Sequence, residues 1–150
     1  MFLNKEDLGV AIYGYQLEQI TEGNDSIVTM AMAAAQEEAR SYLTANNSKD
    51  YLDGRFVYDT QAIFSATGSD RNPLILQHCI TLAKWHIVQL SNVDILYEQI
   101  KERYDRATDW LTKLAEGEIN LSTLPTVNLS EDTTKQPFAF GSRAKFNHDY

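Results

Sequence analysis

Along the chain, apolar positions return every three or four residues in three long stretches and lose that rhythm between and after them. Before the first stretch, Asn4 is placed to cap a short helix. Asp7 stands at its third position as a weaker substitute for Glu, and Leu3 and Leu8 are spaced for a hydrophobic staple. Tyr15 to Ile20 adds a further turn or two, and Glu22-Gly23-Asn24-Asp25 reads as a break. From a cap at Asp25 or Ser26, the first long helix should run to about Leu43. Ile27 or Val28, Ala31, Ala34, Ala35, Ala39 and Tyr42 form its apolar side. That side is mostly alanine, and small side chains let a neighbouring helix approach closely. Gln36, Glu37, Glu38 and Arg40 are expected on the opposite, solvated face.

Between Thr44 and Asn72 the period fails, and Asn46-Asn47-Ser48, Asp53-Gly54 and Thr67-Gly68-Ser69-Asp70 are turn-forming. Tyr51, Leu52, Phe56, Val57, Tyr58, Ile63 and Phe64 give this mid-chain loop too much apolar surface for a disordered tether. It is expected to pack on the domain or on another subunit, with Asp59 capping a short helix through Phe64. Asn72-Pro73 then opens the most apolar helix, to about Leu90. Leu76, Ile80, Ala83, Ile87 and Leu90 make one stripe, and Ile75, Cys79, Leu82 and His86 make a second beside it, which marks a central element. The third helix, from about Asp94 to Glu116, has a single stripe of Leu96 or Tyr97, Ile100, Tyr104, Ala107, Leu111 and Leu114. Its outer face carries Lys101/Asp105, Glu102/Arg106 and Asp109/Lys113 pairs, and Gly117 stops it. The remaining residues have no apolar period and read as an extended C-terminal arm. The fold class is therefore all-α, with a helical domain over residues 1–125, a loop at about 44–72 and an arm over 126–150.

Composition narrows the picture further. With 43% hydrophobic and 23% charged residues, 150 residues suit one core, and no apolar run reaches the ~20 residues of a spanning helix. The first residues lack the pattern of a secretory signal, so the protein is expected to stay in the cytoplasm where it is made. The net charge of −8, most of it on residues 1–71, repels phosphate and disfavours tight DNA binding. Cys79 is alone, so no intrachain disulfide forms.

Candidate chemistry is sparse. Cys79 and His86 share a helix face beside His78, but no second ligand cluster accompanies them. A buried thiol and a hydrogen-bonded imidazole are the simpler reading. Asp105 and Asp109 share a face beside Arg106 and Lys113, and that is the pattern of a solvated surface. No nucleophile elbow, zinc-protease, P-loop or dinucleotide signature occurs, so a non-catalytic chain with no cofactor is expected. The last sixteen residues are net basic, with Phe138, Phe140, Phe146 and Tyr150 among Lys135, Arg143 and Lys145. Such a mixture stacks on single-stranded bases or anchors to protein, and behind so acidic a body protein docking fits better.

Several stretches resemble a family of phage-encoded head-completion or head-tail connector adaptors. They are Ile20 to Val28, Tyr58 to Gly68 with Arg71-Asn72, and Arg103-Tyr104-Asp105-Arg106-Ala107-Thr108-Asp109-Trp110-Leu111. Ala115 to Ile119, Leu124-Pro125 and the closing Phe140 to Tyr150 complete the likeness, which covers nearly the whole chain. The sequence departs from the family between Thr44 and Asp53, where it carries an apparent insertion, and at Asp149, which interrupts the His-Tyr ending.

The resemblance implies a small antiparallel helical bundle with Tyr104, Ala107, Trp110 and Leu111 as core motif. It implies a virion structural protein at the head-tail junction, in a ring that is dodecameric to match the portal. Neighbouring copies, the portal protein and the tail or next neck protein are the implied partners, and DNA passes through the lumen without specific binding. Ala31, Ala35 and Ala39 with Tyr51, Phe56 and Tyr58 are the candidate contacts between copies. Phe138, Phe140, Arg143, Lys145, Phe146 and Tyr150 are the candidates for clasping the portal. The alternatives are a helical protein-protein interaction module of another kind and a small DNA-packaging subunit.

Overall fold

A computed structural model describes residues 1–9, 16–49, 54–91 and 97–127. Its α-helices are α1 (Lys5–Leu8), α2 (Leu17–Ile20), α3 (Asp25–Asn47), α4 (Thr60–Ser65), α5 (Pro73–Ser91) and α6 (Tyr97–Glu116), with a 3₁₀ turn at Gly68–Asp70. The protein is a helical bundle, and among the described residues no strand forms beyond one isolated bridge between Tyr58 and Thr126. The helices α3, α5 and α6 make the bundle, with α3 packed most extensively on α5. His78 meets Trp110, and Trp85 meets Tyr104 and Tyr97, so α6 runs opposite to α5. Glu38 meets Tyr104 and Tyr42 meets Thr112, so α3 and α6 run the same way and α3 opposes α5.

At the starts of α1, α3, α4 and α5 a short polar side chain covers a backbone amide. Asp7 accepts the Asn4 N–H at 2.7 Å, and Leu3 and Leu8 on either side are buried. The cap of α3 is Asn24, one residue before the expected Asp25 or Ser26, because its Oδ1 accepts the Ser26 N–H at 3.1 Å. Asp59 caps α4 through the Ala62 N–H at 3.0 Å, and Asn72 caps α5 through the Leu74 and Ile75 N–H groups at 3.1 Å each.

The core follows the helical period. Ile100, Ala107, Leu111 and Leu114 are the buried residues of α6, and Tyr104 and Trp110 pack against them half-buried. Leu90, assigned to the α5 stripe, is 45% exposed instead.

Three expectations need correction. Ala31, Ala35 and Ala39 are 0–1% exposed and lie in the hydrophobic core of this chain. They are spent in the core of this chain, so they present nothing to a neighbouring copy. Tyr58, at 1% exposed, is likewise consumed inside the subunit, whereas Phe56 keeps 38% of its surface exposed. Finally, α3 does not end at Leu43 but runs four residues further, through the turn-forming Asn46 and Asn47. Tyr51 lies outside the described residues, as do Phe138, Phe140, Arg143, Lys145, Phe146 and Tyr150.

Candidate functional site

The first polar concentration in the bundle sits where α3, α5 and α6 meet. Glu38 of α3 accepts the Tyr104 hydroxyl of α6 at 2.6 Å through Oε1, and its Oε2 lies 2.8 Å from Nε2 of His86 in α5. Glu38 and His86 keep 20% and 25% of their side-chain surface exposed, so the node is largely sheltered. Burial alone raises a carboxyl pKa, yet the bonds from His86 and Tyr104 outweigh it and hold Glu38 below its ordinary value. The Tyr104 hydroxyl is pushed up by burial and by the Glu38 charge. Gln36 departs from the expected solvated face as well, since its Oε1 accepts the Leu3 N–H at 2.9 Å. Of the four residues placed on that face, Glu37 and Arg40 are exposed, with the Arg40 guanidinium 5.1 Å from the Phe64 ring centre.

An aromatic run extends from this node across α5 and α6. Trp85 stacks on Tyr104 with centroids 5.0 Å apart and meets Tyr97 at 5.4 Å. One turn-pair away His78 stacks on Trp110 at 4.5 Å, and burial keeps its pKa low. Cys79 is fully buried and its thiol is pushed up to about 12. Thus Cys79 and His86 share a helix, as their spacing suggested, but the thiol is inert and the imidazole is committed to Glu38. Among the described residues no group of three His, Cys, Asp or Glu side chains is arranged to hold a metal ion.

The second concentration straps the mid-chain segment and the chain after α6 to the bundle. Asn47 bonds both backbone groups of Tyr58, accepting its N–H at 2.9 Å and donating to its C=O at 2.7 Å, while Asn46 donates to the Phe56 C=O at 2.8 Å. On the opposite edge, Asp59 N–H donates to Pro125 C=O at 2.9 Å and Val127 N–H to Val57 C=O at 2.8 Å. The Tyr58 hydroxyl accepts the Leu121 N–H at 2.9 Å. Thr126 and Val127 are therefore held against the mid-chain segment.

Arg55, only 7% exposed, reaches the end of α6 and donates to the Ala115 and Glu116 carbonyls at 3.2 and 2.8 Å. Gly117 N–H bonds Leu114 C=O and Glu118 N–H bonds Lys113 C=O, at 3.2 and 3.0 Å. All four terminal carbonyls of α6 thereby have donors, the first two through a Schellman motif. A third clamp holds the N-terminal segment. Arg71 bonds Asp7 through both terminal nitrogens, at 2.6 and 3.1 Å, and also donates to the Phe2 C=O at 2.8 Å.

Sequence reading missed Glu38, Asn46, Asn47, Arg55 and Arg71 as organising residues. A polar residue one helical turn from a buried alanine, as Glu38 is from Ala35, is the one signal that marked any of them. Family models, curated proteins and solved structures were compared with the chain, and none matches it. The class that the fold defines is a helical bundle in which Glu38, Arg55 and Arg71 bond within the chain.

Proposed function

We propose that this chain is a structural virion protein, an adaptor that forms a ring between the portal and the tail or next neck protein of a tailed bacteriophage. It is not an enzyme in this reading, and its place is the head-tail junction. The observation that carries the proposal is where the family-like segments fall in the fold. Tyr58 to Gly68 holds the buried Tyr58 and the α4 cap, Arg71-Asn72 holds the N-terminal clamp and the α5 cap, and Arg103 to Leu111 holds Tyr104, Ala107 and Leu111. The likeness thus lies at positions that pin this particular fold rather than at interchangeable surface.

Two further features support the reading. The chain carries a net charge of −8, and an acidic wall does not grip a passing duplex. The potentially catalytic side chains, Glu38 and His86, are occupied by each other and by Tyr104, in a node that ties three helices together. Contacts between copies fall to exposed apolar positions such as Phe56, Leu90 and Tyr97. The end of the C-terminal arm, with Arg143, Lys145, Phe146 and Tyr150, is assigned to the portal.

Electron cryo-microscopy of the protein mixed with the portal protein of the same phage tests the proposal. The expected result is a ring of this chain on the tail-facing end of the portal. A chain lacking residues 128–150 should remain folded and fail to bind. Portal particles without added density, or full binding by the truncated chain, count against the adaptor and against the arm respectively.

A further inference from the structure

We propose that the arm of one copy seats Phe138 and Phe140 in an apolar groove on an adjoining copy, between α4 and the turn that follows α6. The inference rests on the adaptor reading in taking the neighbour to be a sister subunit. The groove encloses about 260 Å³, with Ala62, Ile63 and Ala66 of α4 on one side and Pro73, Leu124 and Pro125 on the others.

Its polar neighbours are already committed. Arg71 bonds Asp7 and the Gly68 and Phe2 carbonyls, while Asn72 caps α5 and donates to Thr123 Oγ1 at 3.0 Å. No cation or amide is left there to select an ion or a small polar ligand. What remains is the apolar part of the lining, two proline rings included, and this chemistry accepts an aromatic ring. An exposed carboxylate, Asp70, stands at the rim.

The arm carries matching groups in matching order. Lys135 precedes Pro137-Phe138-Ala139-Phe140 by two residues, so a cation lies beside two aromatic anchors, as Asp70 lies beside the groove. The described chain ends at Val127, two residues past the groove-lining Pro125. The ten residues between Val127 and Phe138 span up to about 35 Å when extended, enough to cross to an adjoining subunit. The last sixteen residues are net basic and the rest of the chain acidic, so the end of each tail is attracted to a neighbouring copy. One donated tail and one accepted tail per copy is the heterologous contact that closes a ring. Arg143 to Tyr150 remain for the portal.

A labelled peptide spanning residues 134–142 tests the pairing by fluorescence anisotropy, titrated with the full-length chain carrying Phe138→Ser and Phe140→Ser so that its own tail does not compete. Saturable binding is expected, weakened at least about tenfold when Ala66→Trp fills the groove. Absence of saturable binding, or binding indifferent to Ala66→Trp, overturns the proposal. Should Ala66→Trp lower the urea midpoint, Pro125→Trp, at an exposed position, replaces it.

The full-length chain with Thr123→Cys and Ala139→Cys then distinguishes neighbour from self, because the buried Cys79 stays out of disulfide exchange. A bridge between chains is expected. A bridge within one chain, or none at concentrations that saturate the peptide site, overturns the assignment to a sister copy. Neither measurement involves the portal, so loss of the portal ring with intact pairing sinks the adaptor reading alone.

Discussion

Gly117 is the residue whose replacement the structure prices most clearly. It sits at φ +84°, and a Cβ built there would lie 2.7 Å from Cζ and 2.8 Å from a terminal nitrogen of Arg55. Gly117→Ala therefore incurs the left-handed backbone penalty, about 1–2 kcal/mol. It must also displace a guanidinium. A flexible side chain usually moves at little cost, but Arg55 is buried and donates to the Ala115 and Glu116 carbonyls. Displacing it exposes those carbonyls to an unmatched environment and gives up charged hydrogen bonds, worth about 1.5–3 kcal/mol. The sum, roughly 2.5–5 kcal/mol, is a large part of the ~5–15 kcal/mol by which a domain is stable. Gly68→Ala supplies the control, since Gly68 has φ +59° with open space around its Cβ direction and carries only the backbone cost. Urea denaturation of both variants gives the comparison. Equal losses for Gly117→Ala and Gly68→Ala would refute the role assigned to Arg55. So would a cost for Gly117→Ala that is unchanged in an Arg55→Ala background, where the clash is gone.

Two further outcomes follow from the other clamps. Tyr104→Phe should cost about 1.5–3 kcal/mol by removing a hydroxyl from the Glu38 carboxylate, and so lower the melting temperature by several degrees at roughly 2–4 °C per kcal/mol; a loss as large in a Glu38→Gln background would show the bond to be unimportant. The Arg71 hydrogen bonds hold the Asp7 carboxyl below its ordinary pKa, so their stabilisation is present above the unfolded value near ~4 and is lost as pH falls through the folded value. Asp7→Asn should be less stable at pH 7 and lose less than the parent between about pH 5 and 2, as urea midpoints will report.

The parts of the fold legible in the sequence are those fixed by apolar period and by short polar caps. Ile100, Ala107, Leu111 and Leu114 declare the buried face of α6 because separations of seven, four and three residues keep them on one side of the helix. Asp59 and Asn72 declare helix starts because an Asp or Asn before an apolar run has an amide to accept. The alanines of α3 were legible as a close-packing face but not as belonging to this subunit, since a small side chain carries no mark of the helix it meets. Glu38 was illegible for a different reason. Three consecutive charges or amides, Gln36, Glu37 and Glu38, span nearly a full helical turn, and only the positions of His86 and Tyr104 show which of them points inward. Asn46 and Asn47 have turn-forming chemistry, and in the folded chain that hydrogen-bonding capacity is spent on the backbone at Phe56 and Tyr58 rather than on their own.

These side chains have a common physical task, and it bears on how the protein can act on a partner. Irregular backbone packed against a helical core must find donors and acceptors for its own peptide groups. Here α3 supplies them through Asn46 and Asn47, the end of α6 finds them in Arg55, and the chain after α6 finds them in residues 57–59. The consequence is mechanical. Val127 is held at a point tied, through residues 55–59, to the C-terminal ends of α3 and α6, so whatever follows it starts from a fixed position. A tether rooted this way reaches a limited and repeatable zone, and limiting the zone raises the effective concentration at any site within it. That is the property a subunit needs if its tail is to find the same groove on each neighbour around a ring.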